Sequence, residues 1–286
     1  MIKNSFHKIH NIGDKAFVFG GAYGNLQATQ AILEKASQLG FLGSEIIFTG
    51  DMIAYCANPV ETIDLIRSSV DHIIMGNCEE SISKGSNDCG CGFEEGTECS
   101  ILSNQWYNFC LSKIDRETAN WMGDLTHDLI IKIGSYKFLV THATPSSINQ
   151  FIFPSDSIVT KTLEEIDGYI VGHSGIPFIA EVNQKLWLNS GASGMPANDG
   201  TPRTWYATIE VENHEISIQT HALEYDFKQA QSSMNSIGLN NGYMECLQTG
   251  IWPSDDVLPD PEKMLAGIAL KPQKKAFQGT PLKETI

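Results

Sequence analysis

Short apolar runs recur through the first third of the chain, and each is followed by a segment whose apolar residues fall at helical spacing. The pattern predicts strands at 16–24, 45–51 and 72–77, helices at 25–39 and 59–69, and a short helix from Glu79. Such alternation favours an α/β fold with parallel strands, and strands this apolar are typical of sheets buried on both faces.

The pattern changes in the middle of the chain. Residues 85–100 (GSNDCGCGFEEGTECS) follow neither period, which predicts a loop or lid. Beyond it we predict helices at 101–112 and 116–124, a hairpin turning near Ser135, strands at 168–173, 177–189 and 204–221, and closing helices at 227–237 and 242–247. Residues 1–270 are predicted to form a single domain, and the polar segment 271–286 a flexible tail.

Composition narrows the functional classes. With 42% apolar residues, a chain of 286 residues can bury a sizeable core, and no apolar run is long enough to cross a membrane. A net charge of −15 disfavours a nucleic acid polymer as partner. The seven cysteines are odd in number and no signal-like segment precedes them, so we expect a cytoplasmic protein without a disulfide framework.

Four apolar runs end in a polar residue that lies beside a glycine or another small residue. These four residues, called the quartet below, are Asp51, Asn77, His142 and His173. Polar side chains at the carboxyl ends of parallel strands can converge, and this mixture of nitrogen and oxygen donors suits a divalent transition metal such as Zn, Mn or Fe. Taken singly, each histidine also fits a structural hydrogen bond, and Asp51 fits a turn or helix cap.

The order of these motifs along the chain is similar to that of a known family. The sequence TGD (49–51), GN (76–77), TH (141–142) and GHSG (172–175), followed by NSGASG (189–194) and TWYATIEV (204–211), resembles the calcineurin-like metallophosphoesterase superfamily, especially its small bacterial phosphodiesterase branch. The resemblance spans about residues 16–222. It implies a four-layer α/β/β/α sandwich with two metals in a groove above the sheets.

Of the two metal positions that the resemblance implies, this chain has suitable ligands for only one. The quartet matches the second metal position, with Asp51 as the carboxylate that bridges both metals in the family. At the first position, the family's D-x-H-G-N reads Gly21-Ala22-Tyr23-Gly24-Asn25, and the final histidine of G-H-x-H is Gly175. Because three first-site ligands are missing, we expect one divalent ion rather than two.

The position that corresponds to the family's catalytic histidine is Cys78. The resemblance implies that Cys78, Asn25 and Tyr23 orient a substrate. The expected activity is metal-dependent hydrolysis of a phosphomonoester or phosphodiester, a small nucleotide-like molecule. The alternative is an inactive relative that binds a metal and a phosphate or nucleotide for regulation. The sequence does not indicate an oligomeric state.

The segment 85–100 contains three cysteines, Cys89, Cys91 and Cys99, downstream of Cys78. Together they could supply soft metal ligands, although a C-x-C spacing is not the usual C-x-x-C of zinc sites. Redox sensing is a second interpretation. A lid with buried or free thiols is the third and the one that the composition favours.

Overall fold

Two six-stranded sheets form the framework of the protein, for which a computed structural model describes residues 8–92, 96–156 and 163–278. The strands are β1 (Ile9–Asn11), β2 (Lys15–Phe19), β3 (Ile46–Phe48), β4 (His72–Ile73), β5 (Asp128–Ile133), β6 (Tyr136–Thr141), β7 (Gly168–Val171), β8 (Phe178–Val182), β9 (Lys185–Asn189), β10 (Thr204–Glu212), β11 (Glu215–Leu223) and β12 (Lys274–Gln278). The helices are α1 (Leu26–Gln38), α2 (Pro59–Ser69), α3 (Asn77–Lys84), α4 (Glu98–Lys113), α5 (Arg116–Gly123), α6 (Phe227–Ser236), α7 (Gly242–Thr249) and α8 (Asp260–Met264).

Both sheets mix parallel and antiparallel pairs. Sheet A has the order β1-β5-β6-β7-β9-β8, and its neighbours β6 and β7 are parallel. Sheet B has the order β12-β11-β10-β2-β3-β4, with β2, β3 and β4 parallel. The carboxyl ends of β3 and β4 are therefore adjacent in sheet B, as those of β6 and β7 are in sheet A.

The sheets pack on each other through one apolar cluster. It contains Val18 and Ile47 from sheet B and Val140 and Ile170 from sheet A. A second cluster lies on the outer face of sheet B, where helices such as α1 and α2 cover Phe17, Phe19 and Phe48, among others. The outer face of sheet A is covered, within the described residues, by non-helical residues that include Ile152 and Ile166. The expected α/β fold, with two packed sheets flanked by helices, is confirmed.

Side chains that accept hydrogen bonds from backbone N–H groups set where several helices begin. The Oδ1 atom of Asn25 accepts a hydrogen bond from the N–H of Ala28 at 3.1 Å, which caps α1. Thr97 caps α4 in the same way, so this helix begins at Glu98, three residues earlier than the sequence predicts. The predicted lid therefore ends before residue 98, and residues 93–95 within it lie outside the described part of the chain.

Two predicted strands are in fact hairpins. The segment 177–189 is β8 and β9, joined at Asn183 and Gln184, and the segment 204–221 is β10 and β11, joined at Asn213 and His214. All four turn residues have positive φ, as a tight turn between right-twisted strands requires. The asparagine in each turn is the local signal for this geometry.

The prediction of a flexible tail at 271–286 is wrong for Lys274–Gln278. These residues form β12, which pairs antiparallel with β11 and brings Phe277 against the core between the sheets. An edge strand offers unpaired backbone groups, so it can pair with a further segment through the backbone even where that segment has few apolar side chains. Residues 279–286 lie outside the described part. Strand β1, which pairs with β5, was also not predicted.

Candidate metal centre

The quartet is assembled from both sheets. Asp51 follows β3, and Asn77 follows β4 as the first residue of α3. His142 comes directly after β6, and His173 lies two residues beyond β7. Each sheet thus contributes two adjacent strand ends, and the four side chains meet where these edges face each other.

The donor atoms of the quartet converge on His142. Its Nε2 lies 3.1 Å from Asn77 Oδ1, 3.3 Å from Asp51 Oδ2 and 3.3 Å from His173 Nδ1. Four ligands at roughly 2.0–2.1 Å from a tetrahedral ion would be separated by roughly 3.3 Å, so these spacings suit a small divalent cation. A candidate metal site is therefore present at Asp51, His142 and His173, whose donor atoms lie within 4.8 Å of one another.

The tautomer of His142 supports this interpretation. Its Nδ1 lies 2.6 Å from the carbonyl oxygen of Thr49, which can only accept, so Nδ1 donates the proton. In the neutral ring, the lone pair of Nε2 then faces two oxygens and a nitrogen. In addition, Nδ1 of His173 lies 3.3 Å from Nε2 of His142, so a second imidazole nitrogen faces the same point. A cation is the species that satisfies such a set of lone pairs.

Electrostatics holds Asp51 ionised. Burial, the largest single effect, raises the pKa of Asp51, but His142, His173 and the backbone N–H of Cys78 together lower it to below its ordinary value. For His142, burial is again the largest effect and lowers the pKa, but Asp51, the Thr49 carbonyl and Glu79 together raise it above its ordinary value. Burial, reinforced by repulsion from His142, lowers the pKa of His173 to about 3. His173 is therefore a neutral imidazole, the form that ligates metals.

Backbone geometry brings the strand ends close together. A Cβ atom on Gly50 would lie 2.7 Å from both Gly76 N and His142 Nδ1, and one on Gly76 would overlap Asp51 Oδ1. Glycine is therefore required at both places. Asp51 and His173 themselves have φ of 64° and 47°, which is uncommon for residues with a side chain and is concentrated at functional sites.

Buried polar residues hold the loops in place. The carboxylate of Glu79 accepts backbone N–H groups from Asp51 and Met52 at 2.8 Å and from Gly76 at 2.9 Å. On sheet A, Asn189 donates to the carbonyl of Gly172 at 2.6 Å and so fixes the loop that carries His173. Neither support is among the residues predicted from the sequence. The position of Glu79 two residues after Asn77 was the available signal.

A small cavity of about 70 Å³ lies beside the quartet and is lined in part by Asp51 and His173. Its volume is far below the roughly 300–1,000 Å³ of a pocket for a drug-sized ligand, so it suits a phosphoryl-sized group. Much of its wall is aromatic, and it includes Tyr23, Tyr55, Phe151, Tyr243 and Trp252. No lysine or arginine is among the described residues that line it.

Comparison with known proteins places the chain in a family. Residues 10–214 match the family model described as the calcineurin-like phosphoesterase superfamily domain. The chain belongs to this superfamily. An uncharacterised protein of Methanocaldococcus jannaschii is 27% identical over 231 residues, which cover 74% of this chain and 88% of that protein.

Solved structures share the fold. A metallophosphoesterase from Sphaerobacter thermophilus superposes with a TM-score of 0.62 at 19% identity, over 84% of this chain and all of the other. A hypothetical protein from Pyrococcus horikoshii superposes with a TM-score of 0.64 at 18% identity, over 85% and 99% of the two chains. At this level of identity the likeness shows the calcineurin-like fold. Among the described residues, no helix is long and apolar enough to span a membrane.

Tyr23 lies beside Gly21 and Gly175, two positions that the resemblance assigns to first-site metal ligands. A Cβ atom on Gly21 would lie 2.8 Å from Cζ of the Tyr23 ring, and one on Gly175 would lie 3.8 Å from its hydroxyl oxygen. The ring thus lies close to both glycines. Tyr23 also lines the cavity, and its role in orienting a substrate stays a prediction.

Asn25 and Cys78 make structural contacts in the protein, and their predicted roles in orienting a substrate stay predictions. Both amide hydrogens of Asn25 have protein acceptors, the Gly194 carbonyl at 2.9 Å and the Tyr225 hydroxyl at 3.0 Å. Cys78 donates its backbone N–H to Asp51 Oδ1 at 3.2 Å, but its side chain is buried in the apolar cluster over sheet B. Burial, with the nearby Asp51 carboxylate, raises the pKa of the Cys78 thiol, which stays neutral.

The segment that contains Cys89 and Cys91 lies against Asn77 of the quartet. The Nδ2 atom of Asn77 donates to the carbonyl of Cys89 at 2.9 Å and lies 3.3 Å from Cys91 Sγ. Cys91 and Cys99 line the cavity, and a lid formed by this segment stays a prediction. Cys89 and Cys91 form a disulfide, which closes a local turn and does not link distant elements.

Proposed function

We propose that this protein hydrolyses a small phosphomonoester or phosphodiester, such as a nucleotide-like molecule, with one divalent Zn, Mn or Fe ion held by the quartet. The observation that carries the proposal is the convergence of four donor atoms on a buried point beside a phosphoryl-sized cavity. A bound cation would supply positive charge for the phosphoryl oxygens and a Lewis acid for activating water.

Charge gives a second argument for this proposal. The cavity wall contains the Asp51 carboxylate and, among its described residues, no cationic side chain. A phosphoester would be repelled by this wall unless a cation offset the charge. The same requirement holds for simple phosphate binding, so it supports the metal more directly than it supports turnover.

Tyr23 is the residue of this chain best placed to help a substrate. Burial, followed by the nearby Asp51 carboxylate, raises the pKa of the Tyr23 hydroxyl well above its ordinary value, so it keeps its proton. From the cavity wall it can donate a hydrogen bond to a phosphoryl oxygen. In hydrolysis, water adds to phosphorus, the ester bond breaks, and the leaving alkoxide takes up a proton.

The test is hydrolysis of bis(p-nitrophenyl) phosphate and p-nitrophenyl phosphate by protein stripped of metal and then supplied with Mn²⁺ or Zn²⁺. We expect activity to return with metal. His142→Ala should lower it by roughly 100-fold or more, because a catalytic cation supplies several kcal/mol. His127→Ala is the matched control, since its side chain is 56% exposed and should leave activity unchanged.

A second candidate function is phosphate or nucleotide binding without turnover. It is favoured by the Tyr23 ring in the first-site region and by the burial of Cys78 away from the cavity wall. On this alternative, the quartet binds metal and a nucleotide, and no substrate is hydrolysed with any ion. Both functions require a bound metal, and elemental analysis measures the metal stoichiometry. Protein that binds no metal at all would contradict both.

A further inference from the structure

The turn Cys89-Gly90-Cys91 packs directly on the start of α3, where Asn77 lies. Gly90 has φ of 66°, and a Cβ atom there would lie 2.5 Å from Ser81 Oγ, so only glycine allows this approach. The carbonyl of Gly90 accepts a hydrogen bond from Asn149 Nδ2 at 3.0 Å. The turn is therefore fixed on one side by close packing against Ser81 of α3 and on the other by the hydrogen bond from Asn149.

Both cysteines of this turn contact the amide of Asn77. The Nδ2 group donates to the Cys89 carbonyl at 2.9 Å and lies 3.3 Å from Cys91 Sγ. Because an amide is planar, these contacts aim the opposite atom, Oδ1, at His142 Nε2, 3.1 Å away. The cysteine turn thus decides which atom of Asn77 faces the metal site.

We propose that Cys89 and Cys91 form a reversible disulfide that sets the metal affinity of the quartet through Asn77. The disulfide holds the Cys89 carbonyl and the Cys91 sulfur where they accept from Nδ2. Reduction removes this covalent restraint, the turn loosens, and the amide rotates more freely. Loss of a hydrogen bond that orients a metal ligand typically costs 10–100-fold in metal affinity. This inference rests on the proposed metal site.

The redox step is an ordinary thiol–disulfide exchange. In oxidation, Cys89 and Cys91 lose their two thiol hydrogens and form one S–S bond, while a low-molecular-weight disulfide is split into two thiols. In reduction, two such thiols return the hydrogens and become the disulfide again. No other reactant is needed.

The experiment compares protein oxidised with glutathione disulfide and protein reduced with a phosphine, each desalted without oxygen. Zn²⁺ affinity is measured by competition with a chromophoric chelator, and thiols are counted after denaturation. We expect two fewer thiols per chain in the oxidised form, and Zn²⁺ bound about tenfold or more tightly than in the reduced form. The double variant Cys89→Ser/Cys91→Ser should bind as the reduced protein does after either treatment.

Cys99→Ser is the matched control, because Cys99 lines the same cavity but lies outside the pair. It should keep the redox dependence. Equal affinity in the two forms of the wild type, or an unchanged thiol count, would overturn the inference alone. Tighter binding after reduction that Cys91→Ser removes would also overturn it, since the thiol would then be a ligand. Absence of Zn²⁺ binding in both forms would overturn the proposed metal site as well.

Discussion

At the scale of single residues, Glu79 is the support on which the sheet B half of the quartet depends. Its two buried carboxylate oxygens accept three backbone N–H groups, from Asp51, Met52 and Gly76. The loop carrying Asp51 and the start of α3 carrying Asn77 are therefore tied to one side chain. An acceptor-only group is needed, because every partner is a donor.

Glu79→Gln tests this support. The amide replaces one acceptor oxygen with a donor that faces backbone N–H groups, leaving at least one buried donor unpaired. We expect the free energy of unfolding of the metal-free protein to fall by about 1–3 kcal/mol, measured by urea denaturation. Zn²⁺ affinity should fall by roughly 10–100-fold, measured by chelator competition, because the ligands lose their orientation.

Glu80→Gln is the control on the same helix. Glu80 makes surface ion pairs, with Lys84 at 2.7 Å and with His127 at 3.8 Å, and such pairs contribute at most about 1 kcal/mol. We expect little change in stability and none in metal affinity. If the two variants behaved alike, the role assigned to Glu79 would be wrong.

At the scale of elements, β12 is an edge strand that lies away from the candidate metal site. It pairs with β11 and partly buries Phe277. In sheet B it lies at the opposite edge from β3 and β4, whose ends carry Asp51 and Asn77. Removal of this strand should therefore lower the stability of the protein and leave its metal binding unchanged.

A variant ending at Gln273 removes β12 and keeps the hydrogen bond between Gln273 N and Thr220. We expect it to lose about 1–3 kcal/mol, since partial burial of one aromatic side chain and a strand pairing are lost. For a domain of this size that is roughly 2–10 °C in Tm, measured by calorimetry. Its Zn²⁺ stoichiometry should stay unchanged.

The matched variant ends at Gln278 and removes only residues 279–286. Its Tm should equal that of the full chain within about 1 °C, because β12 is kept. An equal loss in both variants would place the stabilisation in the last eight residues instead of the strand.

At the scale of the whole molecule, the fold brings three distant replacements to one place. Gly21 and Tyr23 precede α1, whereas Gly175 follows β7 in the other sheet, and the Tyr23 ring lies between the two glycines. The backbone N–H of Gly194 donates to the carbonyl of Gly21, which keeps these loops together. We therefore predict that the Tyr23 ring fills the space that a first metal position would need.

Gly21→Asp/Tyr23→His/Gly175→His should restore a second metal position, because removal of the ring frees the space that the new ligands need. Elemental analysis should find about two ions per chain, against one in the wild type. Gly21→Asp alone should destabilise the protein by about 1–3 kcal/mol, because its Cβ meets the Tyr23 ring at 2.8 Å. A triple variant that still holds one ion would contradict the role given to Tyr23.

The amino-acid sequence by itself determined the alternation of strands and helices, the polar residue at each of four strand ends, and the residues Gly21, Tyr23 and Gly175 at positions that the resemblance assigns to first-site ligands. These are local properties: burial of one face imposes a period, and a missing side chain can be read directly. The exceptions were β12, whose polar residues hide an edge strand, and two hairpins whose turns were not separated from their strands.

Only the tertiary structure decided that two sheets, each with two strand ends, face each other at the quartet. It also placed Glu79 under two loops, the Tyr23 ring between Gly21 and Gly175, and the cysteine turn on Asn77. Such contacts join residues far apart in the chain; Asn77 and His142, for example, are separated by 65 positions. They depend on how whole layers pack, and no local period encodes that arrangement.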